Sequence, residues 1–237
     1  MNDRMKKLAL ATFCVCVGHA HAGGLDDVRQ LSQAAFRELA KDLASVTALR
    51  ALSPGVTLNL LGADIGIEVG VTKVDNGDVW KRAGGGSTQV VTPRLTVHKG
   101  LTAGFDIGAS IGASGSAGLS TIGGILRYQF VEPTTLLPGV TGRLTGSREY
   151  GSSSVDVRNV GVDLILAKPL FVVTPYVGVG TVNSETKASG SSLASVSTNR
   201  SRLFVGFDAR LAFATLSAEA EKSGGATTVS SKIGFRF

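Results

Sequence analysis

The last six residues, Lys232-Ile233-Gly234-Phe235-Arg236-Phe237, decide how the rest of the chain is read. Side chains alternate along an extended strand, so Ile233, Phe235 and Phe237 fall on one face and Lys232, Gly234 and Arg236 on the other. Chain ends usually fray into solvent, which leaves a soluble protein little reason to stop on an apolar strand. A sheet closed on itself inside lipid has such a reason. Its last strand completes the ladder, with apolar side chains turned outward and polar ones inward.

Working back from that end, alternation of the same kind recurs from residue 61 onward and predicts ten strands. The first, about 61–74, sets Ile65, Ile67, Val69 and Val71 against Asp64, Glu68 and Thr72. The next, 88–98, carries Arg94 and His98 opposite Val91, Leu95 and Val97, and a turn is expected at Lys99-Gly100. The third places Phe105, Ile107 and Ile111 opposite Asp106, and the fourth, 118–131, places Leu126, Tyr128 and Phe130 opposite Arg127. Segments 139–148 and 154–167 oppose Leu144 to Arg143 and Val162 and Leu164 to Asp163. Segment 171–182 alternates ambiguously around Pro175, which cannot donate to a ladder. Segments 199–213, 215–222 and 227–237 complete the set, with Arg202, Asp208, Arg210, Glu219, Glu221, Lys232 and Arg236 on their polar faces. The expected fold is all-β, a transmembrane antiparallel up-and-down β-barrel of about ten strands, preceded by an amphipathic helix.

Connections support closure in lipid. Short turns alternate with longer Gly/Ser-rich stretches at 75–87, 146–154 and 183–198, as in barrels with turns on the periplasmic side and loops outside. Tyr128, Phe130, Phe171, Phe213, Phe235 and Phe237 all fall at the periplasmic ends, where an interfacial girdle belongs. The 31 glycines relieve crowding on a strongly curved inner wall. The C-terminal stretch also resembles the assembly signal of small Gram-negative outer-membrane β-barrel proteins, in which a terminal Phe ends an alternating strand. That resemblance implies an outer-membrane location and recognition of Ile233, Phe235 and Phe237 by barrel assembly machinery.

The beginning of the chain agrees. Arg4, Lys6 and Lys7 precede a short apolar run at 8–17, and Ala20-His21-Ala22 offers small residues for a signal peptidase. Residues 1–22 are therefore expected to be a signal peptide. Cys14 and Cys16 leave with it, which excludes disulfides, thiolate metal sites and a Cys nucleophile. The remainder is mildly basic with dispersed charges, so nucleic acid is not an expected partner. Outer-membrane lipid and lipopolysaccharide are.

Residues 25–52 read differently. Leu25, Val28, Leu31, Phe36, Leu39, Leu43, Val46 and Leu49 form one apolar stripe at helical spacing, and Pro54-Gly55 ends it. Asp26, Asp27 and Arg50 suit the dipole of a helix over 25–52. It carries too many charges to cross lipid. Three sites can take the stripe, the periplasmic mouth, a partner helix or the membrane interface; the mouth is the first expectation, as a periplasmic amphipathic helix within 23–55 ahead of a barrel over 56–237. The lumen is the least favoured site, because a helix is ~10–12 Å across and a small barrel is filled by its own side chains.

Chemistry is sparse. His98 is the sole histidine after the signal, and it sits at the periplasmic end, far from any surface substrate. No metal cluster can be assembled from it, and no catalytic residue, cofactor site or cofactor is expected. The lumen-lining charges are instead Asp64, Glu68, Arg94, Asp106, Arg127, Arg143, Asp163, Arg202, Asp208, Arg210, Glu219, Glu221, Lys232 and Arg236. Neighbours largely alternate in sign, and strand ten meets strand one as basic against acidic. This predicts a crosslinked interior with a non-catalytic structural or surface role, or a narrow solute channel. The competing readings are an outer-membrane hydrolase acting on lipid or peptide, and an adhesin using the outer loops.

Overall fold

In a computed structural model, residues 24–53, 55–58, 60–115 and 117–237 are described. The expected signal peptide, 1–22, lies outside the described residues. Ten antiparallel strands close into a barrel: β1 (Ala63–Lys73), β2 (Gln89–Gly100), β3 (Phe105–Ser114), β4 (Leu119–Val131), β5 (Gly139–Tyr150), β6 (Val155–Ala167), β7 (Val173–Ala188), β8 (Val196–Leu211), β9 (Ala214–Ser223) and β10 (Ala226–Arg236). Each strand pairs with its sequence neighbours, and β1 pairs with β10. The seam is tied at its end by Ala63 and Phe237, whose amides each donate to the other's carbonyl at 2.7 and 3.0 Å.

Closure leaves no unpaired edge, and alternation then assigns every side chain to lipid or lumen. Ile65, Ile67, Val69 and Val71 of β1 point outward, as do Val160, Val162, Leu164 and Leu166 of β6. Between them Asp64, Glu68 and Asp163 are buried. An apolar exterior around a polar interior is the pattern of a transmembrane barrel. One end carries the short connections, the start of β1 and the C-terminus. There Phe105, Tyr128 and Phe130 pack together on the outside, with ring centroids 4.5 and 4.9 Å apart, and Phe213 stacks on Phe235. We call this the turn end, and the opposite one the loop end.

Several expectations shift. Lys99 and Gly100 belong to β2, and the turn lies at 101–104, where Ala103 and Gly104 take left-handed φ of 57° and 76°. The ambiguous seventh strand is one of the two longest, with Pro175 on the lipid face. Much of the expected loops 146–154 and 183–198 is strand, because β5, β7 and β8 run on past the apolar belt.

The largest correction concerns the N-terminal region. A 3-10 turn covers Asp26–Gln30 and helix α1 covers only Gln33–Thr47, with the Ser32 hydroxyl capping its start from the Ala35 amide. Ala48 leaves the helix with extended ψ, and 48–53 continue as a buried, non-helical stretch. Nor does α1 close the turn end. Its Gln33 side chain exchanges bonds with Ala194 of the β7–β8 loop at 3.1 and 2.9 Å, and its Asp42 accepts from the Asp75 and Asn76 amides of the β1–β2 loop, both at 2.9 Å. The helix therefore fills the mouth at the loop end. From Ala48 the chain runs down the lumen to reach β1 at the other end.

The interior admits this occupant for two reasons. Near the loop end the inward side chains turn apolar: Val90, Leu119, Val155, Val157 and Val196 form one core with Phe36, Leu39, Leu43 and Val46 of α1. A short helix α2 (Gly77–Arg82) in the β1–β2 loop adds Trp80 to it. Deeper down, where the wall is charged, the occupant is a single extended strand of chain, thinner than a helix. Gly123 leaves space for Leu49; a Cβ there would stand 2.8 Å from the Leu49 Cδ2.

Candidate functional site in the lumen

The lumen is where the polar chemistry of this barrel converges, and its wall grips the segment at 46–53 and 55–58. The last carbonyls of a helix have no internal partner and carry partial negative charge. Here the wall supplies donors. Arg94 Nη2 reaches the carbonyls of Val46 and Ala48 at 3.2 and 3.1 Å, and Ser147 Oγ reaches that of Thr47 at 3.0 Å. Beyond the helix, Arg202 Nη1 donates to the Leu49 carbonyl at 3.3 Å and Arg143 Nη1 to that of Ala51 at 2.8 Å. Arg127 bonds the Ser53 hydroxyl, and Thr141 the Gly55 carbonyl. Lower still, Asp106 accepts the Leu58 amide at 3.0 and 3.1 Å. α1 thus ends at Thr47 because wall arginines replace the next helical turn as partners.

The same arginines are neutralised from the wall. Asp163 lies between Arg143, at 2.7 Å, and Arg202, all three fully buried. Arg127 pairs with Asp106 at 2.7 Å, and Arg94 with Glu68 at 3.5 Å. At the turn end Asp64 takes both Lys232 and Arg236, and Arg236 continues to Asp208 at 3.0 Å. Glu219 accepts from the Tyr176 hydroxyl at 3.0 Å. Glu221 receives Arg50 of the lumen segment at 3.1 Å. Arg50 was expected to serve a helix dipole; it instead lies past the helix as a buried cation. At the loop end, burial pushes the Asp42 carboxyl above its usual pKa, against the two amides that stabilise its charge.

All the expected lumen-lining charges are buried inside the barrel except Arg210, which is exposed at the turn-end mouth and donates to the Ala212 carbonyl at 3.0 Å. β8 has reached the rim there, so an inward position no longer means an enclosed one. Three features escape sequence reasoning: Arg50 as a lumen charge, the main-chain carbonyls of 46–51 as ligands of the wall, and α2 with Trp80.

His98 faces the lumen and is buried, and among the described residues its ring nitrogens have no hydrogen-bond partner. It sits opposite Asp64 and Gly108 in register. Among the described residues no serine or carboxylate oxygen bonds it. The described residues contain no cluster of His, Cys, Asp or Glu suited to a metal ion.

The seam allows a stability test. Glu68 lies opposite Lys232 in register, yet Lys232 reaches along the wall to Asp64. Asp64→Asn and Lys232→Gln should therefore couple by roughly 1–3 kcal/mol in a double-mutant cycle read by urea unfolding, and Glu68→Gln with Lys232→Gln by less. Additivity in the Asp64 cycle would mean that this pair does not form in the folded barrel.

No family model matches the chain, and no curated protein does. Solved barrels do resemble it. The KdgM porin is matched over 73% of this chain and 99% of its own, at 10% identity and TM-score 0.38. The translocator domain of the autotransporter NalP from Neisseria meningitidis is matched over 86% and 96%, at 10% identity and TM-score 0.40. Ail of Yersinia pestis, in complex with the heparin analogue sucrose octasulfate, is matched over 74% and 97%, at 14% identity and TM-score 0.31. Likenesses at this level concern the strand barrel alone.

Proposed function

We propose that this chain is an outer-membrane barrel with a non-catalytic structural or surface role, whose lumen is closed by its own N-terminal segment. The observation that carries the reading is the run from α1 to Leu58, whose described residues are held by wall donors at Val46, Leu49 and Ala51 and by the Asp106 carboxylate as acceptor at Leu58. A porin needs a continuous water path, and here the charged layers that would line it are bonded to protein. A hydrolase needs a nucleophile or base exposed to substrate; His98 is buried, with no hydrogen bond to any described residue.

Topology adds a consequence. The turn end carries the aromatic girdle and the chain terminus, and in this reading it faces the periplasm. The lumen segment then delivers residues 24–32 to the cell surface, where Arg29 and Gln33 bind the β7–β8 loop. The role is to span the outer membrane and hold an N-terminal segment, with its covering loops, on the exterior.

Because both cysteines lie at 14 and 16, single cysteines can report sidedness. Gln30→Cys and Ser192→Cys should react with a membrane-impermeant maleimide on intact cells. Leu136→Cys, at the turn end, should react only after the outer membrane is permeabilised. Labelling in the opposite order would place the N-terminal segment in the periplasm and overturn the reading.

A further inference from the structure

The barrel's outer wall carries a polar site that neither the lumen nor the fold explains. Just past the apolar belt at the loop end, Arg148 of β5 stands directly opposite Arg158 of β6. Like charges facing each other across strands are destabilising. Both side chains are more than half exposed, and they share one carboxylate oxygen, Asp156 Oδ2, at 3.2 and 3.5 Å. The neighbouring Glu185 is engaged by Lys187 at 3.1 Å. Glu185 stands opposite Arg158 in register, so among the described residues Asp156 is the one carboxylate in direct ion pairs with both guanidinium groups, and Glu185 is the next nearest across the strands.

Below them the wall is hollowed. A cavity of about 500 Å³ is lined by Arg158, Glu185, Asn183, Asn199, Ser197 and Val160. Its asparagines are preset: Thr181 Oγ1 donates to Asn199 Oδ1 at 2.7 Å, and Asn199 Nδ2 to Asn183 Oδ1 at 2.8 Å, which turns the Asn183 amide nitrogen outward as a donor. A second cavity of about 500 Å³, almost wholly apolar, continues toward the turn end between Leu144, Val162, Val179 and Phe130. The two lie next to each other along the wall, because Val160 and Val162, and Asn183 and Thr181, are successive outward positions on β6 and β7.

A pair of exposed arginines at the rim of an amide-lined pocket, beside a lipid-facing apolar trough, has the shape and chemistry of one kind of ligand. We propose that Arg148, Arg158 and Asn183 bind the phosphate of a lipid headgroup in the leaflet at the loop end, with an acyl chain in the trough along Leu144, Val162 and Val179. The phosphate bridges the two arginines and removes the repulsion between them. Free phosphate is the weaker candidate, because it uses none of the apolar trough. The site depends on the barrel lying in a bilayer, and not on which side of the membrane the loop end faces.

The test uses the refolded full-length protein in neutral detergent, titrated with lipid A, a diphosphorylated glycolipid, and bound lipid counted by native mass spectrometry. Arg148→Gln with Arg158→Gln should weaken lipid A binding by about tenfold or more, the loss expected for charge-assisted hydrogen bonds. Lys73→Gln with Lys222→Gln removes the same charge from outward positions at the same end of β1 and β9, outside these cavities, and should leave binding within about twofold. Inorganic pyrophosphate at equal concentration should fail to displace the lipid. All four positions are exposed, and a heat-modifiable gel shift confirms that each variant is folded. Unchanged binding in the arginine variant, equal losses in the two variants, or displacement by pyrophosphate would each overturn the proposal.

Discussion

Asp163→Asn should be the most damaging single substitution in the barrel wall, at roughly 3–5 kcal/mol. The carboxylate is fully buried and serves Arg143 and Arg202 together, and both arginines also hold carbonyls of the lumen segment. Asparagine removes the charge and turns an amide donor toward two guanidinium groups, leaving Arg143 buried without its ion-pair partner and Arg202 with Glu221 alone, at 3.9 Å. The loss should appear as a lowered urea midpoint of the refolded barrel. Glu38→Gln, which breaks the partly exposed pair with Lys41, should cost less than about 1 kcal/mol in the same assay. Similar midpoints for the two variants would mean that the lumen charges are hydrated rather than locked to one another.

The second large effect is on conduction. In planar bilayers the full chain should pass no steady current, because α1 and the extended stretch after it occupy the passage. A chain lacking residues 24–53 should conduct. The vacated mouth is about as wide as a helix with its side chains, ~10–12 Å. The wall pairs Asp64 with Lys232, Asp106 with Arg127 and Asp163 with Arg202 do not involve the deleted residues, so the barrel itself remains crosslinked. Glu221 loses an ion-pair partner in Arg50 and keeps a second, at 3.9 Å, in Arg202. A full chain that conducts as freely as the truncated one would show that the lumen segment does not block the pore. The narrow-channel reading would then stand in its place.

How much of the fold is legible in the sequence depends on the physics of each element. Strand assignment rests on a period of two that the solvent enforces on both faces. Wherever Ile, Val or Leu alternate with Asp, Arg or Ser, as in 63–73 or 155–167, the sequence states which side chain meets lipid and which the lumen. The strand count, the acidic-against-basic seam between β1 and β10 and the aromatic girdle at the turn end are all read this way. The seventh strand resisted, because small and polar residues occupy both its faces: Gly178, Gly180 and Ser184 inward, Thr181 and Asn183 outward. The register that brings Arg148 opposite Arg158 was equally hidden, since it depends on where pairing begins rather than on any pattern within one strand.

The N-terminal region shows the opposite case. Its apolar stripe announced a helix that must be buried, but a stripe says nothing about what buries it. The lumen was disfavoured on helix width, a sound argument for a chain that stays helical to residue 52. Only the tertiary structure decided that the helix stops at Thr47, because the donors at its end, Arg94 and Ser147, and those that hold the chain beyond it, Arg202 and Arg143, come from strands far along the chain. The sequence by itself determined a closed, lipid-facing barrel with a charged interior, through local alternation alone. That the interior is filled, by what, and from which end, depended on carbonyl contacts between distant segments, and main-chain oxygens carry no signature in the sequence.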